Sequence, residues 1–205
     1  EIPAVVGIGS IIKEIKSISN KGNDLSIILN GNTGGVIIEP TEKSIEECKK
    51  LKEEFDYILI DCPAGIEQGF KNAIAGASRA IVVTTAEISA IRDADRIIGL
   101  LEASEIKNPE LVINRLRPNM VKKGEMMEVE DIVDLLSIDL IGVVPDDEFI
   151  ITQTNKGEPV VTNHKAPSGK AYTEIASRIL GENVEITIPG KKEGFLEKIK
   201  NFFTK

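Results

Sequence analysis

The sequence predicts an α/β fold: a doubly wound, mainly parallel sheet with helices on both faces, followed by a C-terminal amphipathic helix. Short runs rich in Ile and Val alternate with helical patterns along most of the chain, which is typical of parallel strands buried on both faces. Aromatic residues make up only 4%, so the core is expected to be aliphatic. At 205 residues, the chain can form one large domain or two small ones.

The first 56 residues carry weaker signals than the rest. Isoleucines in the segment 11–18 share one helical face, and polar residues end that pattern. The apolar run 25–29 predicts a short buried strand, and the Gly- and Asn-rich segment 30–35 predicts a turn. Ser44 and Glu47 have the spacing of a capping box, which predicts a helix reaching about residue 55.

From residue 57 onward, strand and helix patterns alternate regularly. Each strand prediction rests on a short, uninterrupted apolar run, and Gly157 and Gly181 close two of the helices. The polar stretch 115–124 is predicted to be a loop. The predicted strands are 57–60, 80–84, 111–114 and 139–144, and the predicted helices are 68–77, 89–104, 129–136, 146–155 and 167–180.

Charge is unevenly distributed along an acidic chain. The net charge is −8, but residues 191–205 hold five Lys and two Glu, a net of +3 that leaves −11 on the remainder. An acidic body disfavours non-specific binding to nucleic acid. The two cysteines, Cys48 and Cys62, form no metal-binding motif, which favours a reducing cytoplasm over a zinc or iron–sulfur protein. No apolar run approaches the roughly 18 residues that cross a bilayer.

Polar residues directly follow several predicted strands, at the edge where the carboxyl ends of parallel strands meet. The run ILID ends in Asp61, a pattern in which a carboxylate holds Mg²⁺, often through water. Asn114 offers donors and acceptors suited to a purine edge, and Arg115 can stack on a base or pair with phosphate. Asp and Asn there are also common cap and turn residues, so both interpretations stay open. The loops 84–88 and 145–147 lie at the same predicted edge.

The C-terminal segment has the pattern of a membrane-surface helix. At 100° per residue, its apolar side chains fall within an arc of about 120°, with lysines on either side of the arc. A segment this short is marginal as a helix in water, so we expect it to fold on an anionic membrane; docking on the protein's own core is the alternative. The residues predicted to face the membrane are Phe195, Leu196, Lys198, Ile199, Lys200, Phe202 and Phe203.

Five internal motifs and this tail together resemble the cell-division site-selecting ATPases of the MinD/ParA deviant-Walker P-loop family. The resemblance covers about residues 40–205, and the combination of motifs is specific although each one alone is not. The motifs are DCPAGIE at 61–67, EISAIRDADR at 87–96, VINR at 112–115, IGVVPDD at 141–147, NKGEPV at 155–160 and GFLEKIKNFF at 194–203.

The resemblance implies a P-loop NTPase-like fold, ATP and Mg²⁺ as cofactors, an ATP-dependent dimer, and peripheral attachment to the inner face of the cytoplasmic membrane. It implies that Asp61 is the catalytic carboxylate on the Mg²⁺ side. The nucleotide-sensing switch would be formed by Pro63, Ala64 and Gly65, and the adenine would be surrounded by Asn114, Arg115, Pro145 and Asp147. The face for division-inhibitor and topological-specificity partners would be formed by Ser89, Arg92, Asp93 and Asp95.

The family's phosphate loop is missing from this sequence. No Gly-Lys-Ser or Gly-Lys-Thr occurs in it, and the glycine-rich segment 31–36 is followed by two Ile and a Glu, which cannot neutralise phosphate. We therefore expect very weak or absent ATP binding and no hydrolysis. The predicted organisation is a divergent N-terminal segment (1–38), an incomplete α/β nucleotide-binding domain (39–181), a linker (182–190) and the membrane helix (191–205).

Two explanations fit the missing loop. A start at Glu1 rather than Met favours a truncated or misassembled chain whose sheet has lost an interior strand. The other explanation is a natural pseudo-ATPase in which residues 1–38 replace the lost elements.

Three functions follow from these observations. They are a division-site-selecting ATPase-family protein, a ParA-like chromosome- or plasmid-partitioning ATPase, and a non-catalytic membrane adaptor. The acidic body argues against the second, and the missing phosphate loop favours the third.

Overall fold

The computed structural model describes residues 4–8, 35–38, 44–51, 53, 55–62, 65–163 and 165–191. Within these residues, six strands form one sheet in which every neighbouring pair is parallel. The strands are β1 (Ala4–Ile8), β2 (Gly35–Ile38), β3 (Tyr57–Cys62), β4 (Arg79–Thr85), β5 (Glu110–Leu116) and β6 (Asp139–Pro145). Their order across the sheet is β2-β3-β1-β4-β5-β6. From β1 the chain goes to the edge strand β2, returns to β3 beside β1, and then forms β4, β5 and β6 in turn on the other side of β1.

Seven helices and one 3₁₀ turn accompany the sheet in the described residues. Local sequence sets their ends: Pro118 occupies the first turn of one helix, and Gly157 closes another at a φ of 70°. The helices are α1 (Ser44–Leu51), α2 (Gln68–Gly76), α3 (Ile88–Ala103), α4 (Pro118–Lys122), α5 (Val129–Leu136), α6 (Glu148–Lys156) and α7 (Pro167–Ile179), and the 3₁₀ turn is Val160–Thr162.

The core lies on both faces of the sheet. In β5, Leu111 and Ile113 face a large cluster built from α2, α3 and α5, while Val112 between them faces a smaller cluster built from α7 and the 3₁₀ turn. Alternate residues of one strand point to opposite faces, so a strand buried on both sides must be apolar at consecutive positions. This is why uninterrupted Ile and Val runs predicted the strands, and the predicted α/β class with helices on both faces is confirmed.

All four strands predicted from residue 57 onward extend beyond their predicted ends, and two of them, β3 and β5, take in predicted loop residues. Asp61 and Cys62 are the last residues of β3, since each is paired in register with a residue of β1, and Arg115 lies inside β5. The predicted loop 115–124 also contains the helical turn of α4, which starts at a proline. Pairing of Asp61 and Cys62 with β1, and of Leu116 with Pro145 on β6, kept these strand ends in the sheet where the sequence suggested loops.

The expectation that the sheet lacks an interior strand is wrong. Residues Ala4–Ile8 form β1 and pair in parallel with both β3 and β4, which fills the interior position. Gly35–Ile38 forms the edge strand β2 beside β3, so the division of the chain at residue 38 is not a boundary of the sheet. The helix predicted at 11–18 and the strand predicted at 25–29 lie outside the described residues.

The segment 182–191, predicted as a linker up to residue 190, is docked on the domain in the structure; we call it the C-terminal strap. Ile188 is 6% exposed and belongs to the larger core cluster. The guanidinium of Arg178 on α7 donates hydrogen bonds to the carbonyl oxygens of Val184, at 2.8 Å, and Glu185. Its other nitrogen donates to the carbonyl of Ile141 on β6 at 2.9 Å, so one side chain fastens the strap to the sheet.

Candidate functional site

A cavity of about 630 Å³ opens at the carboxyl ends of β4 and β5. Its floor is the end of β4, one wall is the first half of α3, and the loop at Gly65 and Ile66 closes the side toward β3. The volume lies within the range of small-molecule sites. The lining residues that carry polar side chains are Thr84, Thr85, Asp93, Arg96, Asn114 and Arg115.

The backbone is irregular at the end of β5, and this irregularity orients the side chains of Asn114 and Arg115. Arg115 has a φ of 56°, in the left-handed region, and the register between β5 and β6 shifts between Ile113 and Leu116. The backbone N–H of Arg115 donates to Oδ1 of Asn114 at 2.9 Å, which orients the amide of Asn114. A non-glycine residue in this conformation costs about 1–2 kcal/mol, and such strain concentrates at functional sites.

Asp146 pairs with two arginines, one of which, Arg115, lines the cavity. Its Oδ1 lies 3.4 Å from Nε of Arg115, and its Oδ2 lies 2.6 Å from Nε of Arg117. Its backbone N–H donates to the carbonyl of Leu116 at 2.9 Å, so the ends of β5 and β6 are joined by both main chain and side chain. The side chain of Arg115 is still 62% exposed, which leaves its guanidinium accessible to an anion or a base.

Asp147 serves the fold of the neighbouring loop. Its Oδ1 accepts the N–H of Phe149 at 3.0 Å and caps α6, while its Oδ2 accepts both the N–H and the hydroxyl of Ser168 on α7, at 3.0 and 2.7 Å. Burial by itself raises the pKa of Asp147, but these three hydrogen bonds hold it below its ordinary value. Neither Asp147 nor Pro145 lines the cavity, and we assign Asp147 to fixing the β6–α6 loop.

The end of β3 places Asp61 beside the centre of the sheet. Asp61 stands opposite Gly7 of β1 and is half-buried. The thiol of Cys62 is buried, and burial together with the charge of Asp61 raises its pKa to about 11, so it is a packing residue and not a nucleophile. Gly65 follows with a φ of 96°, a conformation that favours glycine.

Helix α3 presents the four residues predicted to face partner proteins. Ser89, Arg92, Asp93 and Asp95 are all exposed. Asp93 also lines the cavity together with Ala90, Ala94 and Ile97, because positions three and four apart share one helical face. The surface predicted for partners therefore adjoins the cavity predicted for a ligand.

The structure thus brings together only part of the predicted site. Gly65, Asn114 and Arg115 meet at one cavity, whereas Pro145 and Asp147 do not reach it. Pro63, Ala64 and the tail residues 195–203 lie outside the described residues. Two residues were not predicted from the sequence. Arg96 could have been found from helical spacing, because it lies one turn after Arg92 and on the same face as Asp93. Asp146 could not, because its partner arginines are 29 and 31 residues away in sequence.

Two properties of the described residues concern metals and membranes. No three His, Cys, Asp or Glu side chains there are grouped closely enough to hold a metal ion by themselves. Among the helices described above, none combines the length and the apolar character that crossing a bilayer requires.

A parallel, doubly wound sheet with a cavity at its carboxyl edge defines a protein of the doubly wound α/β class, in which ligands bind at that edge of the sheet. A family profile described as "ParA: NUBPL iron-transfer P-loop NTPase" matches residues 23–180. The septum site-determining protein MinD of Bacillus subtilis is 55% identical over 157 residues, 76% of this chain and 59% of the relative. That of Helicobacter pylori is 41% identical over 191 residues, 90% of this chain and 71% of the relative.

The chain is also similar in structure to the MinC:MinD cell division protein complex of Aquifex aeolicus. It superposes with a TM-score of 0.72 at 33% identity, covering 91% of this chain and 86% of that one. The chain belongs to the MinD family of ParA-type P-loop NTPases, as the sequence motifs predicted. It spans only 59% and 52% of the lengths of its Bacillus subtilis and Synechocystis relatives.

Proposed function

We propose that this chain takes part in selecting the cell-division site by recruiting a division inhibitor to the inner face of the cytoplasmic membrane. The observation that carries the proposal is the 41–55% identity to septum site-determining relatives over at least three quarters of the chain. Within the motif at 87–96, Ser89, Arg92, Asp93 and Asp95 are exposed on α3, where a partner can reach them.

The partner face can be tested with purified components. The division inhibitor of the same organism is titrated against the chain and against Arg92→Glu, which reverses an exposed charge on α3. Lys107→Glu is the matched control, because Lys107 is also exposed but lies in the turn after α3. The proposal expects affinity to fall at least tenfold for Arg92→Glu alone. Equal affinity of all three proteins would contradict it.

For the nucleotide, we propose binding mainly through the base. The cavity offers an amide at Asn114, a guanidinium at Arg115 and apolar walls, which suit a purine, while the sequence holds no phosphate-loop lysine. Asp61 would hold Mg²⁺ through water, and a bound Mg²⁺ supplies charge neutralisation to phosphate oxygens. With the described residues offering no phosphate cradle, no hydrolytic step is assigned to this chain.

Calorimetric titration separates base binding from triphosphate binding. If the base dominates, adenosine and Mg·ATP bind with dissociation constants within about threefold, and Arg115→Ala weakens both. Mg·ATP binding in the low micromolar range, at least tenfold tighter than adenosine, would show a working phosphate site and overturn this part of the proposal. Any ATP-dependent dimer should then appear by sedimentation at the same ATP concentrations.

Membrane attachment is proposed through the amphipathic tail. Burying a large apolar side chain contributes about 1.5–3 kcal/mol, and each lysine near an anionic surface about 1 kcal/mol. Much of this is offset by ordering the helix, so one tail should bind reversibly and two should bind far more tightly. The test is co-sedimentation with anionic vesicles of wild type, Phe202→Glu/Phe203→Glu and the polar-face control Thr204→Glu. Equal pelleting of wild type and the double variant would refute the anchor.

A non-catalytic membrane adaptor is the second candidate, and the missing Gly-Lys-Ser/Thr favours it. Such an adaptor would recruit the inhibitor with the same affinity whether or not nucleotide is present. The partner titration repeated with saturating adenosine or Mg·ATP distinguishes the two functions. The partitioning alternative requires DNA binding, which a gel-shift assay at physiological salt tests.

A further inference from the structure

The C-terminal strap determines where the tail leaves the body. After Arg178 fastens its first half, the strap inserts Ile188 into the core and ends against α4. Gly190 packs so closely on α4 that a Cβ there would stand 2.6 Å from Cβ of Pro118. Lys191 then pairs with Glu130 at 2.6 Å and lies 3.4 Å from Glu128, so the last described residue is held by charge as well.

A docked strap gives the tail far less reach than a free linker. Nine extended residues would span roughly 30 Å, whereas the docked strap leaves no slack before Lys191. The fourteen residues 192–205 follow, and a helix of that length is about 21 Å long. Any surface on which this helix lies must therefore pass close to Lys191.

The surface beside that exit point carries exposed lysines. Lys122 lines the same groove of about 170 Å³ as Gly190 and Lys191, and Lys123 follows it on the exposed end of α4. Within the part of the chain that the structure describes, neither Lys122 nor Lys123 takes part in an ion pair. Glu128 and Glu130 share the single charge of Lys191, and Glu125 and Asp131 are further exposed acids in the same stretch of sequence.

We propose that this α4 face, formed by Lys122, Lys123 and the docked end of the strap, lies against the anionic lipid surface whenever the tail is bound. The inference rests on the membrane attachment proposed above. Attraction to anionic lipid decays within a Debye length of about 10 Å at 0.1 M salt, so only lysines next to the exit point come within range.

Lipid proximity can be measured directly. A fluorophore is attached at Lys122→Cys or at the control Lys107→Cys, both in a Cys48→Ser background, because the thiol of Cys62 is buried. Vesicles of phosphatidylglycerol and phosphatidylcholine carry a head-group quencher. At equal bound fractions, the inference expects at least threefold stronger quenching at 122 than at 107. Inserting ten Gly/Ser residues after Lys191 should preserve binding and reduce quenching at 122 to the level of 107.

Charge provides an independent readout. Each lysine near the surface is worth about fivefold in affinity, so Lys122→Glu should weaken vesicle binding by at least fivefold, and Lys107→Glu by less than twofold. If the vesicle-bound protein shows equal quenching at both positions, the inference is wrong while membrane attachment stands. If wild type does not bind the vesicles even at high lipid, both the attachment and the inference are refuted.

Discussion

Replacing Asp147 with Asn tests whether this carboxylate serves the fold or a ligand. In the structure, the carboxylate accepts three hydrogen bonds, two of them from Ser168, which is 0% exposed. Asn keeps one acceptor oxygen and can still cap α6, but its amide nitrogen cannot accept the N–H of Ser168. A buried donor without a partner costs about 1–3 kcal/mol, so we expect Asp147→Asn to lose about 2 kcal/mol of unfolding free energy at pH 7.

The neighbouring residue supplies a matched control. Asp146→Asn makes the same chemical change one position earlier, where the carboxylate pairs with the exposed Arg115 and Arg117. Exposed ion pairs contribute about 0–1 kcal/mol, so this variant should stay within about 1 kcal/mol of wild type. Urea denaturation with linear extrapolation measures both, provided that the slope with denaturant is unchanged.

The stability difference between wild type and Asp147→Asn should depend on pH in a defined direction. The pKa of Asp147 is lowered in the folded protein because its hydrogen bonds outweigh its burial. A depressed carboxyl pKa contributes stability that is fully present above the unfolded value of about 3.9 and is lost as pH falls through the folded value. The difference between wild type and Asp147→Asn should therefore be full at pH 7 and shrink below about pH 4. Unchanged stability at pH 7, together with weaker adenosine binding, would show that Asp147 is a ligand.

Three further predictions concern packing. Gly142→Ala should lower the unfolding free energy, measured by urea denaturation, by about 1–3 kcal/mol, because a Cβ there would stand 2.6 Å from Cδ1 of Ile175. When Gly142→Ala and Ile175→Ala are combined in one chain, their losses of unfolding free energy should not add. Gly190→Ala should increase hydrogen exchange in the strap more than Gly181→Ala, since both have positive φ but only Gly190 meets a neighbour; equal effects would contradict the close fit on α4. In a Cys48→Ser background, Cys62 should resist iodoacetamide at pH 8 until the protein unfolds, given a buried thiol with a pKa of about 11.

The sequence by itself determined the strands β3 to β6, the helices α2, α3, α5, α6 and α7, and the edge of the sheet at which the site lies. A strand such as Leu111–Ile113, buried on both faces, needs an unbroken apolar run, and that requirement is visible locally. Gly157 ends α6 for an equally local reason, its φ of 70°. The five internal motifs and the tail, taken together, also sufficed to predict the family.

Only the tertiary structure decided which distant segments meet. No feature of the local sequence Ala4–Ile8 indicates that this strand lies between β3 and β4. The strap looked like a linker because its composition is that of a linker; its docking depends on Arg178 reaching Ile141, 37 residues away in sequence. The family resemblance implied that Asp147 lies beside the adenine, whereas its hydrogen bonds to Ser168, 21 residues further on, are visible only in the folded chain. The spacing of apolar residues in the sequence indicates which residues are buried. Which distant segment a residue contacts depends on how the strands and helices pack in the whole sheet.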